Sequence, residues 1–386
     1  PLWYNQEVEG CRTDVRVANL SYLQMDWYVE QMQKQTYESD PLPMSLLPID
    51  YSNGKKDVVY VSDKLESLDL GLAMKLFTTE KQKMGELKAR LGLRPEYDIL
   101  LSDRLTLDID SAAAVNSGTV RPELAKNIVK RIGIDLKNKS YIGKHELVIL
   151  DLLANNNWER PIYFAVSGGE ELGLRRYFQL EGMANRLVPV NFRGNDGGVN
   201  TEVMYDNMMH KFKWGGLDKG NTDIYMDENN IRMATTHRFM FVRLAEGLIN
   251  EGKNEKAEEV LDYCQKVIPS ALVPHDVRSV YIANLYEALG KKEKAHAITS
   301  ELSEKSLQYL KWYYEMVSKR ASQMSFSEKS SENPAKSLGI TSDYKQYLSL
   351  LNFLSEIERR LGNTEIADGL DKEVEHYAGF ANKYKF

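Results

Sequence analysis

Three glycine–alanine pairs at a single spacing, Gly252 with Ala257, Gly290 with Ala295 and Gly362 with Ala367, constrain this chain more than any other feature. Each pair lies between two amphipathic helical patterns. A glycine there can close the first helix in a left-handed cap, and a small residue early in the second helix lets the two helices approach closely. The second part of the chain is therefore expected to form helix–turn–helix units. Phe241, Leu244, Ala245 and Leu248 would pack before the first turn, with Leu261 and Cys264 after it; Ile282, Ala283 and Tyr286 take the matching places in the second unit.

Gly252 and Gly290 are 38 residues apart, near the ~34-residue period of tetratricopeptide units. Residues 235–386 are accordingly read as tetratricopeptide-like helical repeats, with the third unit degenerate and the Ser-rich stretch 322–342, which contains Pro334, read as a mobile insertion. The alternative is an irregular helical bundle. A Gly- and Asp-rich stretch at 215–222 marks a boundary, which gives a first domain over 1–215 and a linker over 216–234.

The first domain has a different rhythm. Short runs at 1–4, 15–20, 58–61 and 161–166, rich in β-branched and aromatic residues, read as buried strands. Amphipathic stretches at 25–35, 68–76, 122–132 and 143–155 read as helices between them. Strands separated by helices predict an α/β domain with a mostly parallel sheet. Residues 41–48 carry three prolines and are expected to be an extended loop.

Charge and cysteine content exclude several classes of function. Against 56 Asp and Glu the chain has 50 Lys and Arg, a net charge of -6, and no strongly basic stretch, which argues against a nucleic-acid partner. Cys11 and Cys264 are too few for a disulfide framework or a thiolate zinc site, and they leave the redox compartment open. The opening Pro1-Leu2-Trp3-Tyr4 has no initiator Met and no leader pattern, so the chain reads as a fragment cut near a domain edge. No window approaches the ~20 apolar residues of a membrane span.

Signatures for a phosphate cradle, a dinucleotide site and a nucleophile elbow are absent. His145-Glu146 begins like a zinc-protease helix, but position 149 is Ile where the second ligand would stand. Asp108-Ile109-Asp110 matches the D-x-D pattern that holds Mg²⁺ or Mn²⁺ in some sugar-nucleotide transferases, and it also fits a solvated strand edge. Glu170-Glu171 more simply complements a helix dipole than supplies an acid and a base.

A positional argument identifies better candidates, because ligands collect outside the carboxyl ends of parallel strands. Those ends would carry Asn5 and Gln6, Asn19 and Ser21, and the turn Ser167-Gly168-Gly169, whose backbone N–H groups suit an anion or a sugar hydroxyl. Trp3, Tyr4, Trp27 and Tyr28 lie close by in sequence and could stack on a carbohydrate ring; ordinary core filling is the competing role. No cofactor and no catalytic residue is assigned.

The segments 1–10 (PLWYNQEVEG), 12–17 (RTDVRV), 19–23 (NLSYL) with Asp26-Trp27-Tyr28, and 179–189 (QLEGMANRLVP) resemble the soluble C-terminal region of a family of multi-spanning membrane proteins common in Bacteroidetes. That family is a domain of unknown function in the GT-C glycosyltransferase superfamily, related to an animal protein O-mannosyltransferase that ends in tetratricopeptide-like repeats. The resemblance implies a non-catalytic domain on the extracytoplasmic, periplasmic face of the inner membrane, anchored through upstream segments. It also implies two partners, an upstream membrane-spanning catalytic half and an acceptor protein or glycan. Asp110-Ser111-Ala112 fits the Asp-Ser/Thr-apolar pattern that receives O-glycans in Bacteroidetes. Two further readings stay open, a protein–protein interaction scaffold built on the helical repeats and a metal-dependent sugar-nucleotide enzyme using Asp108 and Asp110.

Overall fold

The most apolar run of the first half, residues 147–150, forms the middle of the helix Lys144–Asn155. Its side chains are buried around the helix, with Leu147, Val148 and Leu150 at 0% exposure, so it packs as a core helix and not as an amphipathic surface one. The helix starts at Gly143, whose N–H donates to Glu146 Oε2 at 3.0 Å. A Cβ at Gly143 would lie 2.5 Å from Gln24 Nε2, so a larger residue there would push the Gln24 amide aside.

A computed structural model of the chain describes residues 2–166, 172–192, 197–220, 224–324, 333–384 and 386. It divides into two units, Pro1–Gly198 and Val199–Phe386. In the first, three small sheets surround the core helix and its neighbour Leu70–Phe77. Val58–Val61 pairs in parallel with Ile99–Leu100 and antiparallel with Tyr141–Gly143. Leu68–Asp69 pairs in parallel with Arg104–Asp108, which pairs antiparallel with Arg131–Asp135. Ala184–Leu187 lies antiparallel to both Tyr163–Ala165 and Phe178–Leu180.

The sheets are therefore mixed, and the expectation of one mostly parallel sheet is corrected. Only three residues separate Phe178–Leu180 from Ala184–Leu187, too few for the crossover that parallel neighbours require. Three local expectations also change. Residues 2–4 belong to a helix, Leu2–Glu7, because Tyr4 O takes the N–H of Val8 (2.9 Å) and, among the described residues, no strand pairs with them. Residues 15–20 form no strand. Residues 122–132 split into a 3-10 turn, Pro122–Asn127, and the strand Arg131–Asp135, whose alternating exposed and buried residues reveal a period of two that the helical reading overlooked. The strands predicted at 58–61 and within 161–166 are present, as is the extended proline segment up to Leu47, after which Pro48–Tyr51 makes one helical turn.

The second unit is helical. Its long elements form three pairs, Glu228–Asn250 with Asn254–Val267, Val280–Ala288 with Lys292–Gln323, and Thr341–Leu361 with Thr364–Lys383. At the turns Gly252, Gly290 and Gly362 have φ of 74°, 74° and 95°. The same two hydrogen bonds close each first helix: Gly252 N to Ile249 O and Lys253 N to Leu248 O at 2.9 Å, with the counterparts at Gly290–Lys291 and Gly362–Asn363. Ala257, Ala295 and Ala367 are all 0% exposed in the first turns of the second helices. Of the predicted insertion, residues 322–323 end the helix Lys292–Gln323, Pro334–Ser337 make one turn and Thr341 starts the helix Thr341–Leu361, while residues 325–332 lie outside the described residues.

A buried histidine makes this unit acid-sensitive. His275 is 3% exposed, and burial with the nearby Arg238 guanidinium holds its pKa down to about 4, against the opposing pull of Glu301 and Asp276. Below its ordinary 6.5 the unfolded chain takes a proton that the folded unit refuses. The corresponding stability is complete above about pH 6.5 and is lost as pH falls toward about 4, an effect of about 3 kcal/mol. Urea midpoints measured across that range should fall less steeply for His275→Gln than for the parent; equal slopes would contradict this account.

Candidate functional site

The site is built at the start of the chain. Gly10, with φ of 62°, turns the chain away after the helix Leu2–Glu7, and Cys11 N closes on Asn5 O at 2.8 Å. The Gln6 amide then ties down the irregular segment that follows, donating to Arg12 O (2.9 Å) and Val15 O (3.0 Å). Asn19 Oδ1 accepts from the N–H of Ser21 at 3.0 Å and starts the single turn Tyr22–Gln24. The helix Asp26–Met32 comes next, with Tyr28, Val29 and Met32 buried and Trp27 on the outside.

Deep contacts hold this helix in place. Lys144, 1% exposed, donates to Asp26 at 2.5 Å and pairs with Asp57 at 2.6 Å; its ammonium is the main reason the Asp26 carboxyl lies below the usual carboxylate range. Tyr28 OH accepts from Asn19 N (2.9 Å) and donates to Val17 O (3.2 Å), which locks the ring; its burial raises the phenol pKa. At the other end Met32 O accepts from Leu42 N at 2.9 Å, so the proline segment backs the helix.

Between the two helices lies a groove of 520 Å³. Trp3, Trp27 and Tyr28 belong to its lining and are braced by Tyr22. Trp3 stacks on Tyr22 with centroids 5.6 Å apart, Tyr22 meets Tyr28 edge-on at 5.6 Å, and Trp27 meets Tyr28 at 5.4 Å. Trp27 is 54% and Trp3 42% exposed, so neither fills the core. Polar lining comes from Gln6, Thr13, Arg16, Gln31 and Gln35. The Arg16 guanidinium donates to Thr36 Oγ1 and Lys34 O, and its Nε is buried without a partner. Burial, followed by the charge of Arg160, lowers its pKa. Tyr37 OH donates to Glu7 Oε2 at 2.5 Å across the same groove, and that carboxylate raises the phenol pKa.

The groove brings together Trp3, Gln6 and Trp27 from the sequence candidates, with Tyr28 behind them. The route differs from the predicted one, since no strand ends at any of them and helix packing assembles the wall. Asn5 and Ser21 are exposed and do not line it, and Asn19 serves as a turn cap. Ser167, Gly168 and Gly169, with Glu170 and Glu171, lie outside the described residues. Arg16, Gln31, Gln35 and Tyr37 escaped sequence reading; the density of aromatic and amide side chains over the first 37 residues was the available signal.

Asp108 and Asp110 each have a partner of their own. Asp108 pairs with Arg131 on the neighbouring strand, and this guanidinium lowers its carboxyl pKa. The Asp110 carboxylate caps the helix Ser111–Asn116, accepting from Ala112 N (2.9 Å) and Ala113 N (3.0 Å). Among the described residues, no group of three or more His, Cys, Asp or Glu is placed to hold a metal ion, and no helix is long and apolar enough to cross a membrane.

Residues 1–203 match the family described as TMEM260-associated domain 2. No curated protein and no solved structure matches the chain.

Proposed function

The chain belongs to the TMEM260-associated domain 2 family, and from that premise we propose that it is the non-catalytic module of a membrane-embedded glycosyltransferase, holding the acceptor protein or glycan beside a catalytic half. On this reading the enzyme is of the GT-C superfamily and Bacteroidetes type, the module faces the periplasm, and the three helix pairs are tetratricopeptide-like repeats. One observation carries the proposal. The family-matched unit has a groove in which Trp3, Trp27 and Gln6 converge, with exposed rings above amide groups, as a hydroxyl-rich ligand requires.

Deletion tests the role directly. In the full-length membrane protein, removing residues 1–386 should leave hydrolysis of the lipid-linked sugar donor intact and reduce transfer to the acceptor at least tenfold. Unchanged transfer would refute it, as would donor turnover by the isolated chain.

A second reading, an interaction scaffold, is favoured by the aromatic surface of the helical unit, where Tyr281, Tyr309 and Trp312 are 49%, 37% and 51% exposed. A photo-crosslinking residue at position 312 should then capture one defined protein in intact cells.

A further inference from the structure

We infer that the groove between the helices Leu2–Glu7 and Asp26–Met32 is a subsite for a single neutral sugar ring, stacked on the Trp3–Trp27 wall and hydrogen-bonded by Gln31 and Thr13. The inference rests on the reading of this unit as an acceptor-holding module and names the ligand class.

Size comes first. A groove of 520 Å³ lies within the range of small-ligand sites and takes one ring with its hydration, not a folded partner. The wall supplies the apolar half of the chemistry. One face of a pyranose presents C–H groups of slight positive charge, and the face of an indole carries the negative lobe of its quadrupole, so the two surfaces attract while both leave water. Trp27 and Trp3 keep about half their surfaces open for this, and Tyr22 and Tyr28 hold them from behind.

The polar half comes from neutral groups. Neither Gln31 nor Thr13 has a side-chain hydrogen-bond partner among the described residues, and both line the groove. Gln6 and Gln35 spend their N–H₂ groups on the carbonyls of Arg12 and Val15 and of Tyr37, which leaves their amide oxygens as acceptors for hydroxyls.

Charge then selects within the class. Each ionic group of the lining already has a local partner: Glu7 accepts from Tyr37 OH, Lys34 pairs with Glu30 at 2.6 Å, and Arg16 is bound to Thr36 and to a backbone carbonyl. The cations Arg16 and Lys34 are balanced by the anions Glu7 and Glu30, so neither a sugar acid nor an amino sugar meets a net opposite charge. A peptide is disfavoured for a separate reason. No strand borders the groove, so an extended chain has no ladder to join.

The test uses the whole 386-residue chain with four probes: methyl glycosides of two neutral hexoses, of an N-acetylhexosamine and of a hexuronic acid. Saturation-transfer NMR and tryptophan fluorescence should show millimolar binding of at least one neutral hexoside, with transfer strongest to the C–H protons of one ring face. Trp27→Ala should weaken it at least tenfold and Gln31→Ala several-fold, while Tyr225→Ala in the other unit, at a residue 88% exposed, leaves it unchanged. Because Trp27 is exposed, its variant should keep the parental urea midpoint, which separates loss of binding from loss of fold. The inference is overturned if no neutral hexoside saturates by about 100 mM, if the hexuronide binds as tightly, or if Trp27→Ala binds like the parent. Should the glycosides fail while deletion of the module still abolishes transfer to the acceptor, the sugar subsite falls and the accessory role stands.

Discussion

Asp151→Ala should cost the first unit about 3–5 kcal/mol, the largest single-residue effect expected in it. The Asp151 carboxylate is 0% exposed and accepts four hydrogen bonds: Ser45 N at 2.8 Å, Ser45 Oγ at 2.5 Å, Leu46 N at 2.9 Å and Asn155 Nδ2 at 2.8 Å. A proline-rich loop cannot satisfy its own backbone, since residues 41–48 form no ladder and only one helical turn at their end. The acid on the core helix supplies the missing acceptors. Truncating it strands the two N–H groups of Ser45 and Leu46 and leaves a void beside Leu46, itself 0% exposed. Thermal unfolding followed through the buried Trp158 should shift down by about 10 °C. Asp151→Asn should recover much of the loss, because Ser45 N and Leu46 N share one oxygen, Oδ2, which an amide oxygen can replace, while its N–H₂ takes the place of Oδ1 beside Asn155 Nδ2. A shift below about 2 °C for the alanine variant would mean that the loop is held by other contacts. The same loop backs Met32 through Leu42, so the groove should also loosen in this variant.

Arg238→Ala is expected to have a comparable effect on the helical unit, about 3–5 kcal/mol. The guanidinium is 2% exposed and donates to Ile268 O (3.1 Å), Val273 O (2.5 Å) and Pro274 O (3.2 Å), closing the turn between the first two helix pairs. Ile268 and Val273 are fully buried, so their carbonyls would lose their partner with no water to replace it. A lysine in its place reaches one carbonyl at a time and should recover less than half of the loss, since the planar fork is what spans the turn. Hydrogen exchange in Asn254–Val267 is the direct readout. A second consequence is specific to charge. Removing the Arg238 cation relieves one of the three causes that depress His275, which are burial, Arg238 and Lys305, so the acid-dependent loss of stability should become shallower in the variant. A variant that is destabilised yet keeps the full acid slope would separate the two residues.

The helical unit was legible because its signal is local. A left-handed turn demands glycine within one residue of its place, and close helix contact demands a small side chain one turn later, so Gly252, Gly290 and Gly362 with their alanines declare the pairs without reference to the rest of the chain. The strand Val58–Val61 and the core helix Lys144–Asn155 were readable for the same reason, from runs that satisfy one periodicity. Residues 1–4 were not. A four-residue apolar run fits either a strand or a helix, and what decides is whether another strand lies alongside, which is a tertiary fact.

Sheet direction and the groove belong to that second kind. Parallel or antiparallel pairing depends on which distant segments meet, as Val58–Val61 shows by meeting Ile99–Leu100 one way and Tyr141–Gly143 the other. Likewise, the sequence singled out Trp3, Trp27 and Gln6 as side chains able to hold a ligand, but it had Gln6 at a strand end and the two tryptophans only close by in sequence. Convergence on one cavity required the helix Asp26–Met32 to be pinned by Lys144, more than a hundred residues away in the chain. Short-range backbone chemistry wrote the turns and helix caps into the residues themselves; the groove exists only because long-range packing fixes the distance between segments that no local pattern connects.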